Sequence, residues 1–326
     1  MSLSSSSSST LTPTPIKEFS KLKFTDYFNY EKTKNVKYSD IEFKQYVDIF
    51  DSKYDKSDEK SFKYIFNFQI NQYMLKIILN SKYINFDLQD NDGITGFMNA
   101  CQYLTDPEIF KLLLDSEKID FNLKDKYGNT GFIFACQYQT NPKIFKLLLD
   151  SEKIKLNLQN ELGRTGFIFA CCDQKDPEIF KLLLESKNIN FNLQNIRGDT
   201  GFMIACAFQR NPEIFKLLLA SKYIDFNLQD IFEWTGLMIA CQYQINTEII
   251  KLLFKSDKIQ LNSESTYGWT GFCGTGEYNT KMVQYVWKMK QLGIKYSCGH
   301  YICKTCHLRV EIKSETTKCY YCRREV

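Results

Sequence analysis

The chain has 326 residues, 44% of them hydrophobic, enough for two or three domains or one extended array. Its net charge is +4, and residues 294–326 hold seven Lys/Arg against three Asp/Glu, so the other 293 residues carry 35 of each sign. That neutrality argues against a broad nucleic-acid surface, which needs clustered basic charge, and no run approaches 18 apolar residues, which argues against a membrane-spanning helix.

The opening stretch, "MSLSSSSSSTLTPTP" (1–15), has neither a basic start nor an apolar run. It reads as a disordered Ser/Thr/Pro tail rather than a secretory leader. The twelve cysteines then point to a reducing, intracellular setting and to metal ligands rather than disulfides. Residues 16–54 are aromatic and charged without a clear period, and some helix is expected there. Residues 55–89 keep the second-helix signature as "KIIL" and the unit ending as "SKYINFDLQ", lack Thr-Gly, and read as a divergent capping unit.

From residue 90 onward "TGF" or "TGL" recurs at Thr95, Thr130, Thr165, Thr200, Thr235 and Thr270, each step 35 residues long. A fixed period of this size marks a solenoid in which each unit stacks on its neighbours. Two helices are readable in each unit. The first begins at Gly-Phe with the Thr as N-cap. The second begins at "DPEIF" or "NPEIF", with Asp106, Asn141, Asp176 and Asn211 as caps. The following prolines fall at the first helical position, where the missing N–H is harmless. "IFKLLL" supplies a buried face. Five units fill 90–264, and 265–293 reads as a C-terminal cap.

The unit resembles an ankyrin repeat, and residues 125–159 carry the resemblance through Asp125, Gly128, Thr130, Gly131, Phe132, Ala135, "KLLL" and Asn157. Three features depart from the family pattern. Gly replaces the Pro after Thr, Ile or Met replaces the usual His, and two extra residues, placed in loops, lengthen the unit from 33. The resemblance implies a mainly α fold, an ankyrin-repeat α-solenoid, and a protein partner held on its concave face. The copy-to-copy variation falls beside the turn glycine (Tyr127, Leu162, Arg197, Phe232, Tyr267), just before Thr (Ile94, Asn129, Arg164, Asp199, Trp234, Trp269), and on the first helix (Asn99, Phe134, Phe169, Ile204, Ile239). The candidate partner-binding residues are Phe232, Trp234, Trp269, Tyr127 and Arg197, with the C-terminal aromatic cluster foremost. The competing expectation is that they pack between adjacent hairpins. Cys101, Cys136, Cys171, Cys206 and Cys241 share one repeat position and read as small buried residues. Both histidines, His300 and His307, lie beyond the array, so no Cys–His nucleophile is expected inside it.

The last segment, 294–326, offers Cys298, His300, Cys303, Cys306, Cys319 and Cys322, with His307 beside Cys306. Paired Cys-x2-Cys steps are thiolate grips for Zn2+, and some 33 residues could hardly fold without such a metal. The order C-x-H-x2-C-x2-C-x12-C-x2-C resembles ligands three to eight of a RING-type zinc finger. That resemblance implies one complete zinc site at Cys298, His300, Cys319 and Cys322. It leaves Cys303 and Cys306 as half of a second site whose first Cys-x2-Cys is missing, with Cys273 and His307 as the nearest additional ligands. A zinc-ribbon assignment, pairing Cys303 and Cys306 with Cys319 and Cys322, stays open. RING fingers hold a ubiquitin-conjugating enzyme and position its thioester without covalent chemistry of their own, so no catalytic side chain is expected here. Arg323, just after the last ligand, matches the position that contacts ubiquitin. The family's apolar residue inside the first Cys-x2-Cys is absent, and Tyr320 stands where Pro is common. Ubiquitin-ligase-like recruitment and a non-enzymatic adaptor with a structural zinc knuckle both remain as readings.

Overall fold

The computed structural model describes residues 18, 20–22, 36–37, 40–53, 72–261 and 263–266, and the backbone of 293–295 and 301–303. Helix α1 spans Asp40–Ser52 and α2 spans Gln72–Asn80. Five helix pairs follow: α3 Gly96–Tyr103 with α4 Pro107–Leu114, α5 Gly131–Tyr138 with α6 Pro142–Asp150, α7 Gly166–Asp173 with α8 Pro177–Glu185, α9 Gly201–Phe208 with α10 Pro212–Ala220, and α11 Gly236–Tyr243 with α12 Thr247–Lys255. Strands β1 Gly293–Lys295 and β2 Tyr301–Cys303 pair antiparallel, with Gly293 opposite Cys303. The chain divides into two units, 1–155 and 156–326. Each is a stack of helix pairs, and the fold is mainly helical.

Local chemistry sets the helix starts. Thr95, Thr130, Thr165, Thr200 and Thr235 are extended N-caps whose Oγ1 accepts the N–H three residues on, at 3.2 Å for Met98 and 3.3 Å for Met203. At Thr95 and Thr200 the cap N–H is answered by the sulfur of Met98 and Met203, both at 3.4 Å, so methionine fills the reciprocal half of a capping box. The second helices open on Asp106, Asn141, Asp176, Asn211 and Asn246, whose side chains accept the N–H two residues on. Pro sits at the first turn in four of the five. Thr247 replaces it in α12.

The glycine that departs from the ankyrin pattern has a steric reason. In unit 1–155, a Cβ on Gly131 would lie 2.6 Å from the Phe97 ring of the preceding pair. In unit 156–326, Gly201 stands in the same relation to Phe167 at 2.5 Å, and Gly236 to Phe202 at 2.6 Å. Those rings are buried and meet a second phenylalanine edge-on, Phe167 with Phe191 and Phe202 with Phe226, at centroid separations of 4.9 Å. Glycine at the first helical position leaves room for a large ring of the preceding helix pair.

Three rows of side-chain amides join successive pairs. In 1–155, Asn122 donates to the Lys153 carbonyl at 2.8 Å and accepts from the Lys155 N–H at 2.8 Å. In 156–326, Asn157, Asn192 and Asn227 repeat that bridge to Asn188/Asn190, Tyr223/Asp225 and Lys258/Gln260. Gln89, Gln159, Gln194 and Gln229 each donate to their own turn and to a carbonyl 35 residues on. The loop between the two helices, where one extra residue was placed, is not slack. Gln139 is buried there and donates to the carbonyls of Cys101 and Leu104, and Gln244 does the same to Cys206 and Gln209. Left without such partners, the buried amide of Gln139 or Gln244 would be penalised by about 1–3 kcal/mol, so this row fixes the register between its pairs.

Candidate protein-binding surface

Each unit begins with a hairpin tip built by one carboxylate or amide. Asn195 Oδ1 accepts the N–H of Arg197 at 2.8 Å and of Asp199 at 2.9 Å. Asp230 does so for Phe232 and Trp234, both at 2.8 Å, and Asp125 and Asn160 serve the tips of their own units. The turn closes on a glycine with positive φ, at +71° for Gly163 and +79° for Gly198. A Cβ on Gly198 would sit 2.8 Å from backbone atoms of the next tip, so glycine is needed there for space as well as conformation. Glu233 occupies this place in the fifth tip with φ +60°, the only non-glycine with positive φ among the described residues.

The two side chains between the Asp/Asn and the glycine project outward. In 156–266 the tips form a ladder: the Ile196 N–H donates to the Leu162 carbonyl at 3.1 Å, the Ile231 N–H to the Arg197 carbonyl at 3.1 Å, and the Thr266 N–H to the Phe232 carbonyl at 3.2 Å. Leu162 (50% exposed), Ile196 (64%), Ile231 (60%) and Phe232 (42%) line its outer edge. Arg197 is exposed among them, and its guanidinium has no hydrogen bond or ion pair among the described residues. Trp234 is half-buried, while the Arg164 guanidinium lies 5.8 Å from the Phe169 ring centroid. In 1–155, Tyr127 is exposed beside Lys126, whose ammonium pairs with Asp92 at 2.6 Å and lies over the Tyr127 ring. The hydrogen bond to Asp92 and the neighbouring Tyr127 raise the Lys126 pKa.

Of the residues singled out from sequence, the structure therefore brings Arg197, Phe232 and Trp234 into one set of tips and places Tyr127 on a tip of the other unit. Trp269, Tyr267, Cys273, Cys298, His300, Cys306, His307, Cys319, Tyr320, Cys322 and Arg323 lie outside the described residues. Cys303 ends β2, and only its backbone is described.

Two exposed pairs escaped the sequence reading. Tyr103 and Tyr138 in 1–155, and Phe208 and Tyr243 in 156–266, end their first helices and are exposed, whereas Asp173 ends α7. Their signal is an aromatic recurring in four of the five copies at one register outside the buried face, whereas only variation was sought. Ile196 and Ile231, one place before the row beside the glycine, were missed in the same way.

Cys101, Cys136, Cys171, Cys206 and Cys241 are buried and form no disulfide among the described residues. Burial pushes the thiols of Cys101, Cys136 and Cys206 well above the ordinary cysteine range, with neighbouring cysteines adding to the shift at Cys136 and Cys206. Cys172 is half-buried, and burial together with Asp173 pushes it up to about 11. Such thiols are poor nucleophiles at neutral pH. Among the described residues no cluster of three or more metal-binding side chains occurs, and no helix is long and apolar enough to cross a membrane.

Capped helix pairs on a 35-residue period, joined through hairpin tips, define a helical repeat protein. The family model of ankyrin repeats (three copies) matches residues 66–160, 97–195, 132–230 and 202–272. The chain belongs to the ankyrin-repeat family. Among solved structures, that of EF0377, an ankyrin repeat protein, is similar at 22% identity and a TM-score of 0.48, over 56% of this chain and 92% of its own. No curated protein sequence matches the chain. The repeats indicate a role in protein–protein interaction.

Proposed function

We propose that this chain is a recognition adaptor whose repeats hold a protein partner and whose C-terminal module binds zinc and brings ubiquitin-conjugating machinery to that partner. The observation that carries the recognition half is the exposed apolar edge of the tips in 156–266, since contiguous apolar surface of this kind marks interaction sites. Phe232, Trp234 and Arg197 are the leading contacts, with Trp269 at the place of Trp234 one repeat further along the sequence and Tyr127 a separate contact on 1–155.

The zinc half is supported by ligand spacing. The paired strands β1 and β2 are joined by residues 296–300, which carry Cys298 and His300. Cys298, His300, Cys319 and Cys322 would hold one Zn2+, and Cys303 and Cys306 remain half of a second site. The ion's contribution is structural: four ligands fasten a segment too short to bury its own core. Arg323 would face ubiquitin. Zinc affinity after His300→Ala tests the assignment: a loss of tenfold or more is expected, and unchanged affinity would leave the zinc-ribbon pairing. Partner ubiquitination with a panel of conjugating enzymes tests recruitment, and absence of chain formation by the zinc-loaded protein refutes it.

The missing first Cys-x2-Cys pair favours a second reading, in which the zinc knuckle is structural and the protein is a non-enzymatic adaptor. Removing 294–326 separates the two. Loss of repeat stability supports the knuckle, whereas unchanged stability with lost partner ubiquitination supports recruitment.

A further inference from the structure

The tip ladder of residues 156–266 has a charge pattern as well as an apolar edge. Adjacent rungs of a hydrogen-bonded backbone ladder lie about 5 Å apart, so Leu162, Ile196, Ile231 and Phe232 form one continuous strip with Arg197 between them. Its two ends carry exposed carboxylates, Glu161 on the first tip and Glu233 on the last. The choice of cation is selective. Residues 1–155 contain no arginine at all, and the described residues of 156–266 contain three, Arg164, Arg197 and Arg210. Arg164 lies near an aromatic ring, and Arg210 donates to the carbonyls of Ala207 and Gln209 and to the Gln244 side chain. Arg197 is left exposed, its planar fork of donors uncommitted among the described residues, the group best shaped to take a carboxylate two bonds at a time.

We propose that this strip docks a short extended segment of a partner protein in which one carboxylate is flanked by apolar side chains. The proposal rests on the reading of the repeats as a protein-recognition surface and gives that surface its ligand chemistry. Two arguments select the occupant. The strip presents five side chains, Leu162, Ile196, Arg197, Ile231 and Phe232, against the roughly 20–30 residues a side of a stable globular interface, so a peptide fits it better than a second copy of the chain. The order of charges, acid–apolar–Arg–apolar–acid, attracts a single central carboxylate and repels carboxylates at either end, which sets register as well as affinity.

The test uses the full chain against an array of synthetic nonapeptides, each with leucines flanking a central Asp, Glu, Ser or Lys, and a matched set with the acid moved to the termini. Central Asp or Glu is expected to bind at least tenfold tighter than central Ser, Lys or terminal acid. Arg197→Glu is expected to invert the order in favour of central Lys. Ile231→Ser is expected to weaken every peptide. Both positions are exposed, so circular dichroism and thermal melting should match wild type. The proposal is overturned if no peptide binds, or if Arg197→Glu leaves the preference unchanged. It is also overturned if sedimentation shows a dimer that Ile231→Ser dissolves, which would assign the strip to a second copy. Cross-linking to a partner that survives Ile231→Ser but is lost in Phe208→Ser/Tyr243→Ser would also overturn it, while leaving the adaptor reading in place. Failure to cross-link any partner, with the array preference intact, would count against the adaptor reading alone.

Discussion

In residues 1–155 the tip bond from the Lys126 N–H to the Asp92 carbonyl runs beside an ion pair between the same two side chains. In residues 156–266 the equivalent bonds join Ile196 to Leu162 and Ile231 to Arg197, with apolar side chains outside them. The backbone devices are the same: a carboxylate or amide that accepts two N–H groups, a left-handed closing residue, and a glutamine that ties the turn forward. The two sets of tips differ in what those devices display. An exposed ion pair contributes little to stability, and exposed isoleucines contribute less. Neither decoration is explained by the fold, which is why the difference points to recognition.

The sharpest way to break the comparison is to attack what the two units share. Buried thiols stay protonated in the fold while their unfolded counterparts ionise near pH 8.5. Above that pH the unfolded state binds fewer protons, so the contribution of these groups is whole below pH 8.5 and is lost as pH rises, at about 1.4 kcal/mol per pH unit for each thiol. Cys101, Cys136 and Cys206 together should remove about 6 kcal/mol between pH 8 and pH 10, read by urea denaturation. Replacing all three by Ala should flatten that slope, and an unchanged slope would place the alkaline loss elsewhere.

Next in size is the glycine–phenylalanine joint. Gly131→Ala in one unit and Gly201→Ala in the other each set a Cβ against a buried ring, and each should lower stability by about 1–3 kcal/mol. Hydrogen exchange should place each loss first in the unit that carries it, and equal loosening of both would show that the units unfold together. Smaller again is Glu233→Gly, which relieves a side chain held at positive φ and should raise stability by about 1 kcal/mol. Gly198→Ala should do the opposite, and by more, because its Cβ also meets the next tip. Smallest are the decorations themselves. Ile231→Ser and Phe232→Ser should shift the melting midpoint by no more than about 0.5 kcal/mol equivalent, while partner binding falls. A large stability loss from either would make the strip part of the core.

The helical framework was legible because it repeats: Thr, Gly, Pro and the Ile-Phe-Lys-Leu-Leu-Leu run fall where caps, first turns and buried faces require them. The reason for Gly131 was not legible, because the ring that forbids a Cβ there lies 34 residues earlier, at Phe97. The amide rows were hidden too, since Asn192 and Gln209 look like ordinary loop residues until their partners are found 31 to 35 residues away. For the candidate site, variation in the sequence marked Arg197 and Phe232 but passed over Ile196 and Ile231, because only the place beside the glycine was followed.

The amide rows also govern how such a chain can change length. Each bond spans a nearly fixed separation, so Asn192 reaches Tyr223 and Asp225 as Asn227 reaches Lys258 and Gln260. A block of 35 residues copied in tandem brings both halves of every joint with it, and both of its new seams find partners already in register. A block of any other length would leave buried amides facing the wrong carbonyls. The array can therefore grow or shrink by whole units, while the outward side chains of its tips, whose joints are made by backbone atoms, are free to diverge one copy at a time.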